Sequence, residues 1–259
     1  MPTWSADQYL KFSEERTRPC RDLAARIQVS PVRRAIDLGC GPGNSTEVLA
    51  SLWPDAELTG LDNSANMIDD ARRTQPLRTW IACDITAWAA DNAQQYDVVF
   101  SNAAMQWVPD HPTIYPRLLD HVAPGGAFAM QVPGNWDGPA HRLMREVAAS
   151  PEWREHLPDG RVREWHVHDL DFYYDVLAPR STRLDLWATD YIHVLPNVEA
   201  IVEWYRGTGL RPFLDALTTD ADRERFAADY LDRLRSEYTP RADGRVLFPF
   251  HRLFAIAYR

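Results

Sequence analysis

The segment Ala35-Ile-Asp-Leu-Gly-Cys-Gly-Pro-Gly-Asn44 decides the fold. A short apolar run leads into three glycines spaced Gly-x-Gly-x-Gly, and an amphipathic stretch follows. This is the order of a strand, a tight turn and a helix, and open α/β sheets bind ligands at such turns. Glycine permits positive φ and lets a ligand lie directly on the backbone. We therefore predict a ligand-binding loop built on Gly39, Gly41 and Gly43.

The same alternation of apolar runs and amphipathic stretches continues along the chain, which predicts a parallel sheet covered by helices. A helix is expected to begin near Thr17, with Pro19 in its first turn. Two strands after residue 180 are separated by a helical segment over 198–238. The prediction is an α/β fold with a mostly parallel seven-stranded sheet and helices on both faces. The predicted strands are 34–38, 57–62, 79–83, 96–101, 126–131, 182–193 and 246–258.

The amino-acid composition of the chain changes after residue 135. Residues 1–135 predict a ligand-binding core, and 136–181 carry many aromatic and charged residues, which predicts a lid. Residues 182–259 hold the last two strands, with a helical insertion at 196–245. No interdomain linker is apparent, so the prediction is one domain over residues 1–259.

Composition narrows the classes of function. Of 259 residues, 45% are hydrophobic and 25% charged, which is the balance of a folded chain. A net charge of −9 without a basic stripe disfavours nucleic acid as a partner. Neither a membrane span nor a secretory leader is expected. The widely spaced Cys20, Cys40 and Cys83 predict neither a disulfide framework nor a thiolate metal site, and favour a reducing cytoplasm. The sequence predicts no oligomeric state.

Acidic residues at three predicted strand ends indicate the charge of the ligand. The glycine spacing differs from the dinucleotide and phosphate-loop patterns, and Asp37 before the loop would repel an anion. S-adenosylmethionine is cationic, and Asp62 could accept from its ribose hydroxyls. Asp84 could accept from the adenine amino group while Ile85 packs on the ring. Two plainer interpretations remain: Asp62 could cap the helix that begins near Ser64, and Asp84 could accept N–H groups of its neighbours.

The loop over residues 37–46 resembles that of class I S-adenosylmethionine-dependent methyltransferases, which have a Rossmann-like fold. A narrower resemblance covers nearly the whole chain and is to the trans-aconitate 2-methyltransferase family. It implies methyl esterification of one carboxylate of trans-aconitate, or of a related small polycarboxylate, with release of S-adenosylhomocysteine. The segments that carry it are 4–12, 16–19, 101–111, 131–135 with His141, 204–212 and 248–254. The last departs from the family pattern by extra residues before Arg252.

The resemblance also implies site residues. Because a carboxylate is already an anion at neutral pH, no strong base is needed, and a neutral donor suits the attacking oxygen. Trp107 is the first candidate for that catalytic role and Gln106 the second, although a Trp after a strand also serves in packing. The substrate-binding candidates are Tyr9, Tyr173, His193 and Arg211, any of which could instead serve in packing or surface pairing. The remaining cofactor-binding candidates are Arg18, which could also hold a carboxylate, and Cys40, Asn44, Asn63, Met67 and Asn102.

Other functions remain open at this point. A related carboxyl methyltransferase acts on malonyl groups attached to acyl carrier protein, but such a partner needs a basic docking surface and this chain is acidic. A non-catalytic S-adenosylmethionine-binding protein would carry the same loop, because a fold and a ligand site do not dictate chemistry. The glycine spacing counts against a nicotinamide-dependent dehydrogenase.

Overall fold

The computed structural model describes residues 13–91, 94–157 and 165–259. Within these ranges the strands are β1 (Arg34–Leu38), β2 (Glu57–Asp62), β3 (Thr79–Ala82), β4 (Tyr96–Asn102), β5 (Val122–Pro133), β6 (Arg183–Leu195) and β7 (Val246–Tyr258). The helices are α1 (Ser13–Arg26), α2 (Asn44–Leu52), α3 (Ala65–Thr74), α4 (Ile85–Asp91), α5 (His111–Asp120), α6 (Pro139–Ala148), α7 (Leu170–Leu177), α8 (Glu199–Arg206), α9 (Arg211–Ala216) and α10 (Asp220–Glu237). Short 3₁₀ turns span Met105–Trp107 and Ala178–Arg180.

The seven strands form one sheet in the order β3-β2-β1-β4-β5-β7-β6. Strands β1 to β5 pair in parallel, and β7 pairs with β5 antiparallel. This confirms the predicted mostly parallel, seven-stranded α/β sheet. The strand order reverses direction at β1, which has β2 on one side and β4 on the other. A crevice opens at the carboxyl ends of the strands at such a reversal, and ligands of open α/β sheets bind there.

Contacts divide the chain into two compact units. The first, called the sheet unit, holds residues 14–134, 166–189 and 252–259, and the second, called the helical unit, includes the described parts of 135–165 together with 190–251. The segment predicted as a lid, 136–181, is therefore divided. Helix α7 belongs to the sheet unit because Tyr173 and Leu177 are buried in the same apolar cluster as Tyr115 and Leu118.

The helical unit has its own core. Aromatic side chains dominate it, including Trp153, Trp204 and Phe226, all nearly or fully buried. The Trp153 indole donates to Asp229 Oδ2 over 2.7 Å, so its one polar atom is satisfied within the same unit.

Helix α1 differs from the prediction at its start. It includes Ser13, so Pro19 lies inside the helix and the expected start near Thr17 is wrong. Proline removes one helical hydrogen bond. The helix continues past it, and Cys20, Leu23 and Ala24 are buried there. No helix among the described residues is both long and apolar enough to span a membrane.

Candidate active site

The glycine loop after β1 is fixed to the end of β2. The amides of Gly39 and Cys40 both donate to the Leu61 carbonyl, over 2.7 and 3.0 Å. Gly39 has φ +74°, and a Cβ on it would lie 2.1 Å from the Cβ of Ala104. Only glycine fits this position, because a side chain would be strained by the backbone conformation and would also collide with the turn after β4.

Gly41 faces open space, in contrast to its neighbours in the loop. Its φ is +55°, and a Cβ there would meet nothing within 4 Å among the described residues. A Cβ on Gly43, in contrast, would lie 2.8 Å from both Gln75 Nε2 and the Trp80 ring. The backbone at Gly41 is therefore where a ligand can approach the loop most closely.

Asp37 is a buried carboxylate at the base of the loop, with 1% of its surface exposed. Its Oδ2 accepts from the hydroxyls of Ser45 and Thr46, over 2.6 and 2.7 Å, in the first turn of α2. Its Oδ1 has no hydrogen-bond partner among the described residues. Burial raises the pKa of Asp37 to about 6, although the two hydroxyls act in the opposite direction. A cationic group beside Oδ1 would favour the ionised form.

Asp62, at the end of β2, joins the glycine loop to the start of α3. Its Oδ2 accepts from the Gly41 amide over 3.0 Å, and its Oδ1 accepts from the Ser64 amide over 2.8 Å. Ser64 is the N-cap residue of α3, so Asp62 holds the amide of that residue and does not itself cap the helix. Each carboxylate oxygen has a further lone pair, so the half-buried side chain can still accept from two hydroxyls.

Asp84, which follows β3, is exposed and holds the first turn of α4. Its Oδ1 accepts from the amides of Thr86 and Ala87 and from the Thr86 hydroxyl. Partial burial raises the pKa of Asp84, but these bonds and one from Asn63 outweigh it and hold the pKa below its ordinary value. The ends of β2 and β3 are thereby connected. Ile85 is 7% exposed and belongs to the apolar core of the sheet unit.

The turn after β4 carries the two predicted catalytic residues. Ala103 has φ +55°, a left-handed conformation that is strained for a residue other than glycine. The buried Gln106 donates from Nε2 to the Ala103 carbonyl over 2.6 Å, and its Oε1 has no partner among the described residues. Trp107 ends the 3₁₀ turn and is half-buried.

A histidine is hydrogen-bonded to the backbone of this turn. His111 Nε2 lies 3.0 Å from the Met105 carbonyl. Burial lowers the pKa of His111 to about 4, so the ring is neutral at pH 7. The carbonyl needs a donor, so the proton of the neutral ring must be on Nε2. The ring therefore supports the turn that carries Gln106 and Trp107.

The predicted substrate-binding residues have different surroundings. In the sheet unit, Tyr173 is completely buried, and its hydroxyl accepts from the His168 amide over 3.3 Å. Burial raises the pKa of Tyr173 to about 12. These contacts are those of a packing residue in this structure. Arg18 lies on α1 with an exposed side chain.

Two further candidates lie in the helical unit. His193 is 6% exposed and packs on the Trp204 ring, with 4.8 Å between ring centroids. Arg211 begins α9 and pairs with Asp215 over 3.4 Å, one helical turn away. Tyr9 lies outside the described residues.

The remaining cofactor candidates surround the loop. Asn44 begins α2 and Met67 lies on α3, both half-buried, and Asn63 is exposed. Cys40 is buried, with a Cβ on Gly60 placed 3.0 Å from its sulfur. Asn102 ends β4, and its Oδ1 is buried without a partner among the described residues.

One buried pair was not predicted from the sequence as part of the site. Arg252 on β7 donates from Nη1 to Gln131 Oε1 on β5 over 3.1 Å, and both side chains are buried. The signal was present, since Gln131 interrupts the apolar run of β5 and Arg252 that of β7. A polar residue inside a buried strand needs an explanation in structure or ligand binding. The described ranges contain no group of three or more His, Cys, Asp or Glu side chains that could hold a metal ion.

Comparison with known proteins gives matches over part and over all of the chain. Residues 35–126 match the family model for a methyltransferase domain. Trans-aconitate 2-methyltransferase of Azoarcus sp. (strain BH72) is 48% identical over 259 residues, covering 100% of both chains. That of Rhodopseudomonas palustris (strain BisA53) is 48% identical over 257 residues, covering 99% of each. The crystal structure of the YcgJ protein of Bacillus subtilis shares the fold, with a TM-score of 0.60 at 13% identity over 93% of this chain and 98% of that one.

Proposed function

This chain belongs to the trans-aconitate 2-methyltransferase family, and we propose that it transfers a methyl group from S-adenosylmethionine to one carboxylate of trans-aconitate or a closely related small polycarboxylate. The observation that carries the proposal is the 48% identity over the full length of both chains. The sheet unit supports it independently, because the glycine loop after β1 and the turn that carries Gln106 and Trp107 occur together at one edge of the sheet.

The residues at this edge fit S-adenosylmethionine. Gly41 leaves open space for a ligand against the backbone. Asp37 has one buried oxygen without a partner among the described residues, which suits a positively charged group. Asp62 can accept from the two ribose hydroxyls without losing its amide contacts. We assign Asp84 to the adenine side, because it follows the next strand outward in the sheet.

Positioning accounts for the chemistry. When bound, S-adenosylmethionine supplies an electrophilic methyl group and is released as S-adenosylhomocysteine. The acceptor carboxylate is ionised at neutral pH, so the protein does not need to remove a proton. Holding two reactants in line can contribute several kcal/mol. The chain therefore has to bind, align and shield them from water.

Gln106 and Trp107 are proposed to orient the attacking carboxylate. Both offer neutral N–H donors, which hold an anion without neutralising it, whereas a tight cationic clamp would stabilise the ground state. The neutral His111 and the strained turn at Ala103 fix the 3₁₀ turn on which they lie. Arg211 and His193, in the helical unit, remain substrate-binding predictions from the sequence.

The same proposal includes the setting of the enzyme. The cysteines Cys20, Cys40 and Cys83 are all free, which supports a reducing cytoplasm. The net charge of −9 disfavours nucleic acid as a partner.

The experiment uses the purified full chain and methyl-labelled S-adenosylmethionine. Trans-aconitate, cis-aconitate, citrate and isocitrate are each supplied separately, and labelled ester is measured by mass spectrometry. We expect the highest kcat/KM with trans-aconitate. If S-adenosylhomocysteine binds by calorimetry while none of the four acids is esterified, the substrate assignment is wrong.

A further inference from the structure

A row of polar side chains crosses one face of the sheet at its carboxyl edge. In the strand register, Asp37 on β1 pairs with Phe100 on β4, two residues before Asn102. Asn102 pairs with Gln131 on β5. Gln131 pairs with Phe254 on β7, two residues after Arg252. Paired residues and alternate residues of a strand share a face. Asp37, Asn102, Gln131 and Arg252 therefore form one polar row.

The end of the row at β5 and β7 carries two buried groups with hydrogen-bond donors. Arg252 is 6% exposed and Gln131 is completely buried. Because Gln131 Oε1 accepts from Arg252, its Nε2 is directed elsewhere, and this atom has no hydrogen-bond partner among the described residues. A guanidinium and an unused amide NH₂ are both donors, which is the complement of a carboxylate.

The unmade bond of Gln131 Nε2 has an energetic consequence, because a buried donor left without an acceptor is destabilising. A bound carboxylate would accept a hydrogen bond from the Gln131 amide and place a negative charge beside the Arg252 guanidinium. Because both side chains are buried, water screens that pairing little.

The row also separates cofactor from acceptor. The acids assigned to S-adenosylmethionine lie in β1, at the end of β2 and after β3, whereas Arg252 lies on β7, three strands from β1 in the other direction. At about 4.8 Å per strand this is about 14 Å, too far for one small group to contact both ends. The Arg252 end is instead linked to the predicted acceptor turn. Gln106 donates to the Ala103 carbonyl, and the Ala103 amide donates to the Gln131 carbonyl over 2.9 Å.

We propose that Arg252 and Gln131 bind a carboxylate of the acceptor, and that this carboxylate is not the one methylated. The assignment rests on the proposed function and names a substrate-binding site for it. A guanidinium suits a spectator carboxylate, because binding the attacking oxygen this tightly would lower its nucleophilicity. The reacting carboxylate is then left to the neutral donors of the turn after β4.

The test compares Arg252→Gln with wild type on four acceptors: trans-aconitate and the three dicarboxylates that each lack one of its carboxyl groups, itaconate, glutaconate and mesaconate. For trans-aconitate we expect kcat/KM to fall by about 100-fold, mainly through KM, as for loss of a buried charge contact. One of the dicarboxylates lacks the carboxylate that Arg252 binds. For that acceptor, kcat/KM of Arg252→Gln should differ from that of wild type by less than about threefold, because neither enzyme can make the contact.

Arg183→Gln is the matched control, because Arg183 on β6 also donates from Nη1 to a glutamine, Gln28 Oε1, over 2.9 Å. This control should leave kcat/KM unchanged for all four acceptors. Gln131→Glu is the second variant, should Arg252→Gln fail to fold. It keeps an acceptor for Arg252 but puts a negative charge where the amide stood, so it should raise KM for trans-aconitate at least about tenfold.

Three results would overturn the inference. One is an equal loss of kcat/KM on all four acceptors at unchanged KM. Another is a loss of affinity for S-adenosylhomocysteine by the same factor as the rise in KM for trans-aconitate, which would place the cofactor carboxylate on Arg252. The third is variants as active as wild type, which leaves the proposed function standing. If wild type esterifies no acid at all, the proposed function fails and this assignment falls with it.

Discussion

At the scale of single residues, Asp37 links the chemistry of the site to pH. Burial raises its pKa to about 6, so the fold favours the protonated form while a cationic ligand favours the ionised form. Above pH 6 the carboxylate carries its charge, and the cost of burying that charge is offset when a cation binds. As the pH falls through about 6 the charge is lost.

We therefore expect S-adenosylhomocysteine to bind at full strength above pH 6 and progressively more weakly below it, by up to about tenfold for each pH unit. Asp37→Asn should bind weakly at every pH and show a flatter profile. Calorimetric titration between pH 5 and 8 measures both. A wild-type profile as flat as that of the variant would remove Asp37 from cofactor binding.

Asp62 gives a second prediction for a single residue. Asp62→Ala should lower the affinity for S-adenosylhomocysteine by about 10- to 100-fold, since hydrogen bonds to a charged group contribute about 1.5–3 kcal/mol. Asp55→Ala, at an exposed position in the turn before β2, is the control and should leave the affinity unchanged. Melting temperatures separate a binding defect from unfolding, because Asp62 also accepts two backbone amides. Equal affinity of Asp62→Ala and wild type would contradict the ribose assignment.

The strand-end acids could be predicted from the sequence because each follows a recognisable apolar run. The pair Gln131–Arg252 could not be predicted as a pair. Its members are 121 positions apart, and only the β5–β7 register places them on the same face. Tyr173 shows the converse limit, since the resemblance made it a substrate-binding candidate and its ring is fully buried.

At the scale of elements, the glycine loop separates backbone strain from ligand contact. Gly41 and Gly125 both have positive φ, +55° and +81°, and both face open space within 4 Å. Alanine at either position should therefore cost a similar amount of stability, about 1–2 kcal/mol. Only Gly41 lies in the predicted cofactor loop, so only Gly41→Ala places a methyl group where the cofactor approaches.

We expect the melting temperature to fall similarly in Gly41→Ala and Gly125→Ala, while S-adenosylhomocysteine affinity falls at least about tenfold in Gly41→Ala alone. Differential scanning fluorimetry and calorimetry on the same samples measure the two effects. Comparable affinities in the two variants would mean that the loop backbone is not in contact with the cofactor.

Strands were predicted more accurately than helix starts for a physical reason. The predicted bounds of the first two strands and the last one agree with the structure. For the first two, short apolar runs between turn residues leave few alternatives. Helix α1 was placed too late because Thr-x-Pro is a local start signal, whereas the helix continues through Pro19, beyond which Cys20, Leu23 and Ala24 are buried. The division of 136–181 between two units depends on tertiary contacts, which composition does not encode.

At the scale of the whole molecule, charge opposes the substrate. The chain carries a net charge of −9, and a tricarboxylate with ordinary pKa values is a trianion at pH 7. Repulsion over distances longer than the contacts of the site should slow encounter at low ionic strength. Salt screens that repulsion beyond about 10 Å at 0.1 M, while buried contacts such as those of Arg252 are screened much less.

We therefore expect kcat/KM for trans-aconitate to rise about two- to threefold between 10 and 150 mM NaCl, through the effect of net charge on association. S-adenosylhomocysteine is the internal control, because it has no net charge when its amino acid end is zwitterionic, and its affinity should stay constant over the same range. Stopped-flow mixing or initial rates at substrate concentrations far below KM measure the effect. A kcat/KM that falls from the lowest salt upward would mean that local cationic side chains, and not the net charge, govern the approach of the acid.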